Sequence, residues 1–227
     1  MVTGGGAMHL NDSFGGCPEI EVICNHHEQA CAIAAEGYAR LTGKLAVVNV
    51  TTGPGGLNTL TGVLGQWTDS MPVLYISGQV KQSTTVGFCP DVALRQLGDQ
   101  EVDIIEVVKP ITKFAESVTD PKQIRRVLQQ AVVFAMKGRR GPVWVDVPMD
   151  IQGALVEEAE LAGFAEDGTV DRAISDSDMT SVVEHLASAK RPVIVAGHGI
   201  RLAKAEKVFF VLAAKLGIPV LSTFNGV

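Results

Sequence analysis

The chain has 227 residues, 46% of them hydrophobic and 24 of them glycine, so it can bury a sizeable core and is neither disordered nor fibrous. Its 19 basic and 25 acidic side chains give a formal net charge of -6, and no basic run marks a surface for nucleic acid or an anionic membrane. No run of about 18 apolar residues predicts a membrane span, and the N-terminus has no signal-peptide pattern. The cysteines lack CxxC spacing, so we expect reduced, mostly buried thiols in a cytoplasmic protein.

Apolar strand-like runs alternate with helical patterns along the first 150 or so residues. The predicted strands are residues 19–25, 45–53, 71–79 and 141–152, and the predicted helices are residues 26–42, a segment starting near Asn58, and residues 120–138. Short elements are expected at EVDIIEVV and ITKFAESV. Gly43 suits a left-handed C-cap, and Asp120 with Pro121 suits the start of a helix.

Strands this uniformly apolar, alternating with helices, predict an α/β fold with a parallel β-sheet flanked by helices on both faces. Ligands bind such sheets at the carboxyl ends of the strands. The turns at residues 51–56 and 77–79 both fall at that edge.

The composition changes after about residue 155. Residues 161–178 are acidic and are interpreted as a linker, and a second unit with helix, strand, helix and strand patterns begins at residue 179. About 50 residues are too few for an independent α/β domain of the usual size. We therefore expect the chain to be an excerpt of a longer protein.

Glu28 stands at the head of an alanine-rich predicted helix, in the stretch NHHEQACAIAAEGYARLTGK. Asn25 precedes it at capping-box spacing, with Asn25 as N-cap and Glu28 as the N3 residue. Spacing alone favours this structural role. The alanines make the helix slim, as in a helix packed closely against a neighbour, so the alternative is a carboxylate that faces an interface.

Two glycine-bearing turns are candidates for ligand contact. In TTGPGGLN, residues 51–58, glycines surround Pro54 and let a backbone approach a ligand closely, although an ordinary strand-to-helix turn explains them equally well. The turn is neither a P-loop nor a dinucleotide fingerprint. AGHGI, residues 196–200, suits a phosphate, but plain turn chemistry is favoured there. No spacing predicts a metal site or a covalent nucleophile.

Taken in order, these motifs resemble those of the acetolactate synthase-like thiamine diphosphate (ThDP) enzymes over nearly the whole chain. The stretches that carry the resemblance are GGGAM, HEQACAIAAEGYARLTGK, TTGPGGLN, ISGQV, DQEVDIIEVVKPITKFA, GRRGPVWVDVPMDIQ, KRPVIVAGHGIRLAKA and LGIPVLSTFNGV. The resemblance implies a pyrimidine-binding (PYR) domain fold over residues 1–160. It further implies that an incomplete, Rossmann-like central domain begins at residue 179.

The resemblance also implies roles for individual residues. The Glu28 carboxyl would share a proton with the aminopyrimidine of ThDP and so promote loss of the cofactor's C2 proton. The cofactor could then add to a 2-keto acid such as pyruvate, release CO2 and pass the remainder to a second carbonyl. The other implied site residues are Gly53, Pro54 and Gly55 around the pyrimidine, Asn58 as cap of the next helix, and Gln100 and Lys113 on the substrate side.

Two departures from the family pattern bear on function. Asp99 precedes Gln100 where many acetolactate synthases have Phe, which makes an apolar wall acidic and argues against simple pyruvate self-condensation. TGGGAMHLNDS resembles relatives of sugar biosynthesis, where the acceptor can be a keto-sugar nucleotide. The GDG motif that binds diphosphate and Mg2+ in a separate domain of the family does not occur in this sequence. We therefore expect the chain to hold the Glu28 half of a site and not to catalyse alone.

The implied cofactors are thus ThDP, Mg2+ through a further domain, and possible FAD near Gly197 and Gly199. The implied partners are a small 2-keto acid and further copies of the chain in a homodimer or homotetramer, with neither nucleic acid nor membrane. Two other classes stay open. One is a non-catalytic binding or assembly module with the PYR fold, and the other is a nucleotide-binding Rossmann-type protein that binds NAD or FAD.

Overall fold

The computed structural model describes residues 1–166 and 174–226. The chain divides into two compact units, Met1–Asp167 and Gly168–Val227. Part of the predicted acidic linker, residues 167–173, lies outside the described residues. In the part of the chain that the structure describes, no helix is long and apolar enough to cross a membrane.

The first unit is built from four strands and seven α-helices in its described residues. In chain order these are α1 (Met8–Gly16), α2 (Glu28–Thr42), β1 (Ala46–Val50), α3 (Pro54–Leu57), α4 (Leu60–Asp69), β2 (Val73–Gln79), α5 (Ile104–Val108), β3 (Ala115–Ser117), α6 (Ile124–Met136), β4 (Val143–Pro148) and α7 (Met149–Gln152). A short 3-10 turn capped by Asp120 leads into α6, as the sequence predicts, because its carboxylate accepts from the Lys122 N–H and Pro121 lacks a donor to satisfy.

The four strands form one parallel sheet in the order β1-β2-β4-β3. Val50 pairs with Ser77, and Ser77 pairs with Asp146, so the carboxyl ends of β1, β2 and β4 meet at one edge. Every residue of β2 and β4 is buried, because helices cover both faces of the sheet. The predicted fold class is confirmed.

Each face of the sheet has its own core. On one face, α2, α4 and α5 cover a core centred on Tyr75 and Trp144, whose rings stack with centroids 4.8 Å apart. On the other face, α6 packs onto β2 and β4 through Val127, Ala131 and Ala135. Burial of these apolar side chains is the main force that holds the layers together.

The slim helix α2 packs closely against α4 of the same chain. A Cβ placed on Gly62 of α4 would lie 2.5 Å from the Cβ of Ala32, so the two helices touch backbone to side chain. The Gln66 amide donates to the Ala32 carbonyl at 2.8 Å and accepts from the Tyr75 hydroxyl at 2.8 Å, which ties both helices to β2. Gly43 ends α2 in the predicted left-handed conformation, with φ of 68°.

The strand predicted at residues 19–25 is wrong. Ile20 and Ile23 are exposed, and among the described residues the backbone pairing of this segment with the sheet runs through Met1 alone. The Asn25 N–H donates to the Met1 carbonyl at 3.1 Å, and the neighbouring Val2 N–H donates to Asn49 of β1 at 3.3 Å. The two hydrogen bonds of Met1 with Ile23 and Asn25 are too few to make this segment a strand, although it lies beside the sheet.

The second unit contains α8 (Asp176–Ser188), β5 (Ile194–Ala196), α9 (Gly199–Leu202), α10 (Glu206–Leu216) and β6 (Val220–Ser222) among its described residues. β5 and β6 pair in parallel, and Ser175 with Asp178 forms a capping box at the start of α8. This helix therefore begins inside the segment predicted as linker. The four cysteines are free, but the expectation of mostly buried thiols is wrong because Cys31 alone of the four is buried and Cys24 is exposed.

Candidate active site

Glu28 is the first residue of α2, and His27 rather than Asn25 is the N-cap. His27 has extended backbone angles, and its imidazole Nδ1 accepts the Gln29 N–H at 3.1 Å. The Asn25 amide instead donates to the Cys31 sulfur at 3.3 Å. The predicted Asn25–Glu28 capping box is therefore wrong, because the Asn25 N–H pairs with the Met1 carbonyl and the helix begins only after His27.

The Glu28 carboxylate is held from a second segment of the chain. Its Oε2 accepts the Asn58 amide N–H at 3.0 Å, so a residue 30 positions away fixes the side chain. The prediction that Asn58 caps the next helix is wrong. Thr59 is the N-cap of α4, without a side-chain cap, and its hydroxyl donates to the Gly56 carbonyl at 2.7 Å.

The glycine turn after β1 lies directly beside Glu28. Gly53 has φ of 55°, and a Cβ on it would lie 2.0 Å from the Gln100 carbonyl oxygen. A Cβ on Gly55 would lie 2.8 Å from Thr51 Cγ2 and 3.7 Å from Glu28 Oε1. The structure thus brings Glu28, Asn58, Gln100 and the turn at Gly53, Pro54 and Gly55 together, and both glycines are required by close contacts.

The N-terminal glycines close the same edge of the sheet. The Gly6 N–H donates to Thr51 Oγ1 at 3.0 Å, and a Cβ on Gly78 at the end of β2 would lie 2.0 Å from the Gly6 carbonyl oxygen. A Cβ on Gly6 would in turn lie 1.9 Å from Thr52 Oγ1. The stretches GGGAM, TTGPGGLN and ISGQV, which carry part of the family resemblance, therefore pack against one another.

Lys113 is the predicted site residue that the structure places elsewhere. It precedes β3, and its N–H donates to the Pro142 carbonyl at 2.8 Å, just before β4 begins. Its ammonium donates to the Lys137 carbonyl at 2.6 Å, and desolvation lowers its pKa. Lys113 thus lies at the amino edge of the parallel sheet, whereas Glu28 and the glycine turns lie at the carboxyl edge.

Sequence reasoning missed a buried carboxyl group, Asp146 on β4. It is 3% exposed, and its Oδ1 accepts the Ser77 hydroxyl at 2.5 Å while Ser77 accepts the Trp144 indole N–H at 2.8 Å. The Gln79 amide lies 3.4 Å from its other oxygen. Burial raises the pKa of Asp146 to about 7, against the opposing effect of these hydrogen bonds. The sequence signal that could have revealed Asp146 is an acidic residue inside the otherwise apolar run GPVWVDVP.

Among the residues that the structure describes, no group of three or more His, Cys, Asp or Glu side chains could hold a metal ion. In the second unit, a Cβ on Gly197 or Gly199 would meet nothing within 4 Å, and α9, which begins at Gly199, has four residues. A helix that short offers little dipole to a phosphate.

The fold and the site together define a class of protein. It is an α/β domain with one carboxylate, Glu28, held by a hydrogen bond beside a glycine-rich turn at the carboxyl edge of a parallel sheet. A family model described as "Thiamine pyrophosphate enzyme, N-terminal TPP binding domain" matches residues 1–107, and one described as "Thiamine pyrophosphate enzyme, central domain" matches residues 179–227. The chain belongs to the thiamine pyrophosphate enzyme family, whose N-terminal domain takes thiamine diphosphate as its cofactor.

Curated relatives agree with this assignment. The acetolactate synthase large subunit of Lactococcus lactis is 32% identical over 228 residues, which cover 98% of this chain and 37% of the relative. A chloroplastic acetolactate synthase of Arabidopsis thaliana is 35% identical over 231 residues, which cover 98% of this chain and 32% of the relative. The chain thus spans about a third of the length of these relatives.

Among solved structures, a thiamin diphosphate-dependent enzyme from Mycobacterium smegmatis superposes with a TM-score of 0.76 at 22% identity. The match covers 98% of this chain and 41% of that one. It supports the fold.

Proposed function

We propose that this chain is the N-terminal part of a ThDP-dependent enzyme that acts on a 2-keto acid such as pyruvate by decarboxylation and carboligation. The observation that carries the proposal is the Glu28 carboxylate, which Asn58 holds at 3.0 Å beside the Gly53–Gly55 turn. Family membership and the relatives named acetolactate synthase support the same reaction class. The polar Asp99 next to Gln100 favours a polar second substrate, such as a keto-sugar nucleotide.

The residues at this edge fit the aminopyrimidine part of the cofactor. A flat heteroaromatic ring needs a close approach to backbone, and Gly53 and Gly55 let the turn pack tightly against Gln100 and Thr51 without side chains of their own beside Glu28. Any Cβ on Gly55 would stand 3.7 Å from Glu28 Oε1 and narrow the approach to that oxygen. We assign Glu28, Gly53, Pro54, Gly55 and Asn58 to the pyrimidine pocket, and Gln100 to the substrate side.

Within the pocket, Glu28 is the group that holds or moves a proton. The Asn58 amide occupies Oε2, so the proton would reside on Oε1, which faces Gly55. Asn58 also fixes the rotamer, so that Oε1 stays aimed at one point. When bound, ThDP supplies the nucleophilic carbon that attacks the keto group and accepts the electrons released with CO2. The protein contributes the Glu28 carboxyl, which Asn58 holds in one orientation, and the backbone surface of the glycine turn.

The remaining cofactor assignments follow the family resemblance. We propose that the diphosphate and Mg2+ bind to a separate domain of the complete protein. We also retain the predicted domain division, with the PYR domain at residues 1–160 and the central domain from residue 179. We test an FAD site near Gly197 and Gly199 by titration calorimetry with FAD. No measurable heat of binding at micromolar protein would refute the site.

We further propose that the complete protein is a homodimer or homotetramer in which a second copy covers the outer face of α2. Ile33, Tyr38 and Leu41 project from that face and are exposed, Leu41 to 89%. Such a stripe is more apolar than a solvated helix face normally is. Ile33→Glu with Leu41→Glu should shift the sedimentation profile to monomer, while Leu155→Glu, at a leucine of the same unit that is fully exposed, should not. A monomeric parent protein would contradict this assignment.

The decisive test of function is Glu28→Gln in the complete protein. Hydrogen–deuterium exchange at C2 of bound ThDP should fall roughly 100-fold or more, since Gln cannot exchange a proton with the ring. Glu36→Gln, on the same helix and paired with Arg40 at 2.7 Å, is the matched control. Equal exchange rates in Glu28→Gln and parent would refute the role of Glu28.

A further inference from the structure

Glu101 organises the loop that carries Gln100. This loop, residues 80–103, connects β2 to α5 and is here called the β2–α5 loop. Glu101 Oε1 accepts the Val86 N–H at 2.5 Å, and its Oε2 accepts the Leu97 and Gly98 N–H groups, each at 3.1 Å. One carboxylate thus joins both ends of the segment 86–98. Hydrogen bonds to a carboxylate are stronger than those between neutral groups, and these three link residues at the two ends of the segment, whereas the other backbone bonds within it are local.

Hydrophobic burial contributes little to the shape of the β2–α5 loop. Phe88, Val92 and Leu97 are all exposed, Phe88 to 62%. A segment whose apolar side chains face outward depends on its polar anchors for a defined conformation. Glu101 supplies the anchors described above. A second anchor lies just beyond it, where the Gln79 amide donates to the Val102 carbonyl at 2.9 Å.

Gln100 has a strained backbone conformation, and it lies against the candidate site. Its φ is 58°, a left-handed conformation that costs free energy for a residue with a Cβ. In this conformation its carbonyl oxygen lies 2.0 Å from the position that a Cβ on Gly53 would take. The anchors at Glu101 and Val102, immediately after Gln100, hold the backbone in this unfavourable state. The contact between Gln100 and Gly53 therefore depends on the carboxylate of Glu101.

We propose that Glu101 is a positioning residue: its carboxylate holds Gln100 in the left-handed conformation against Gly53 and thereby shapes the substrate side of the site. This inference rests on the proposed function, because it assigns Gln100 to the substrate. Glu101 does not touch the reacting atoms. It acts through Gln100, so its removal should impair use of the keto-acid substrate without disturbing the proton chemistry at Glu28.

The test is a double-mutant cycle in the complete protein with Glu101→Gln, Gln100→Ala and both together. Each single change should lower kcat/KM for the keto acid roughly tenfold through a higher KM, as expected for loss of a charge-assisted hydrogen bond. The double variant should also lose roughly tenfold, because Glu101 acts through the Gln100 side chain, so that Glu101→Gln has nothing further to remove once that side chain is gone. C2 exchange of bound ThDP should match the parent in all three variants, and Glu106→Gln, an exposed partner of Lys109, should match it in every assay.

A second readout needs no activity. Amide exchange followed by mass spectrometry on the present chain should show peptides within residues 86–100 exchanging roughly tenfold faster in Glu101→Gln than in the parent or in Glu106→Gln. Unchanged exchange there, or additive losses of roughly a hundredfold in the double variant, would overturn the inference. Absence of C2 exchange in the parent protein would instead refute the proposed function, and the amide exchange would still decide whether Glu101 holds the loop.

Discussion

Asp146→Asn should change the pH dependence of folding more than any other single substitution in the first unit. The Asp146 carboxyl is buried between β2 and β3 and faces Ser77, Gln79 and Ser117, all neutral, and burial raises its pKa from 3.8 to about 7. Asparagine has nearly the same shape. Its oxygen can still accept the Ser77 hydroxyl and its N–H groups can donate to Ser117 Oγ, while the long 3.4 Å contact with the Gln79 amide N–H is lost.

The sign and size of the effect follow from proton linkage. As the pH rises above about 4, the unfolded chain loses the Asp146 proton while the native chain retains it up to about pH 7. The contribution of Asp146 to the free energy of unfolding of the parent therefore falls by about 1.4 kcal/mol per pH unit across this window and is constant above it. The whole displacement corresponds to about 4 kcal/mol. The substituted asparagine cannot titrate, so the variant gains about 2 kcal/mol on the parent between pH 5 and pH 7.

Urea unfolding at pH 5, 6, 7 and 8 measures this difference. Trp67→Phe in both proteins leaves Trp144 as the fluorescent probe, and its indole donates to the Ser77 hydroxyl that contacts Asp146. Asp150→Asn, at an exposed carboxylate four residues further on, controls for a general change in net charge. Parallel pH profiles for parent and Asp146→Asn would refute the reasoning.

Three further substitutions test the backbone contacts by urea unfolding. Gly53→Ala combines a positive φ with a 2.0 Å contact to the Gln100 carbonyl and should cost roughly 2 kcal/mol or more; a neutral result would mean that the β2–α5 loop moves freely. Gly62→Ala should cost roughly 1–3 kcal/mol by overpacking against Ala32, whereas Gly15→Ala in α1, with open space around it, should be neutral or stabilising, and equal effects would exclude the close contact. Gly43→Ala at φ of 68° should cost roughly 1 kcal/mol and Gly43→Asn less, since Asn tolerates this conformation; the reverse order would contradict the cap.

The buried strands were predictable because burial on both faces leaves a continuous apolar run. Residues 71–79 and 141–152 show such runs and become β2 and β4. Gly43 and Asp120 were predictable because their roles depend on local backbone preferences. The segment 19–25 shows a similar pattern, but a strand also needs a neighbour, and pairing is a property of the whole sheet.

The site was predictable in part. The spacing of Asn25 and Glu28 fits a capping box, yet His27 caps the helix because distant backbone pairing sets where it begins. The hydrogen bond between the side chains of Asn58 and Glu28 joins residues 30 positions apart, and no local sequence pattern predicts it. Lys113 lies close in sequence to Gln100, but α5 intervenes and Lys113 precedes β3, which places it at the amino edge of the sheet.

The contact between Ala32 and Gly62 limits how this pair of helices can diverge among descendants of the chain. Both positions already carry nearly the smallest side chains available, so a larger residue at 62 cannot be compensated except by glycine at 32. That exchange, Gly62→Ala together with Ala32→Gly, moves one methyl group from α2 to α4 and leaves the summed helix propensity almost unchanged. Lineages of this protein should therefore keep glycine at one or the other of these two sites at least, and the close spacing of the two helices is inherited with it.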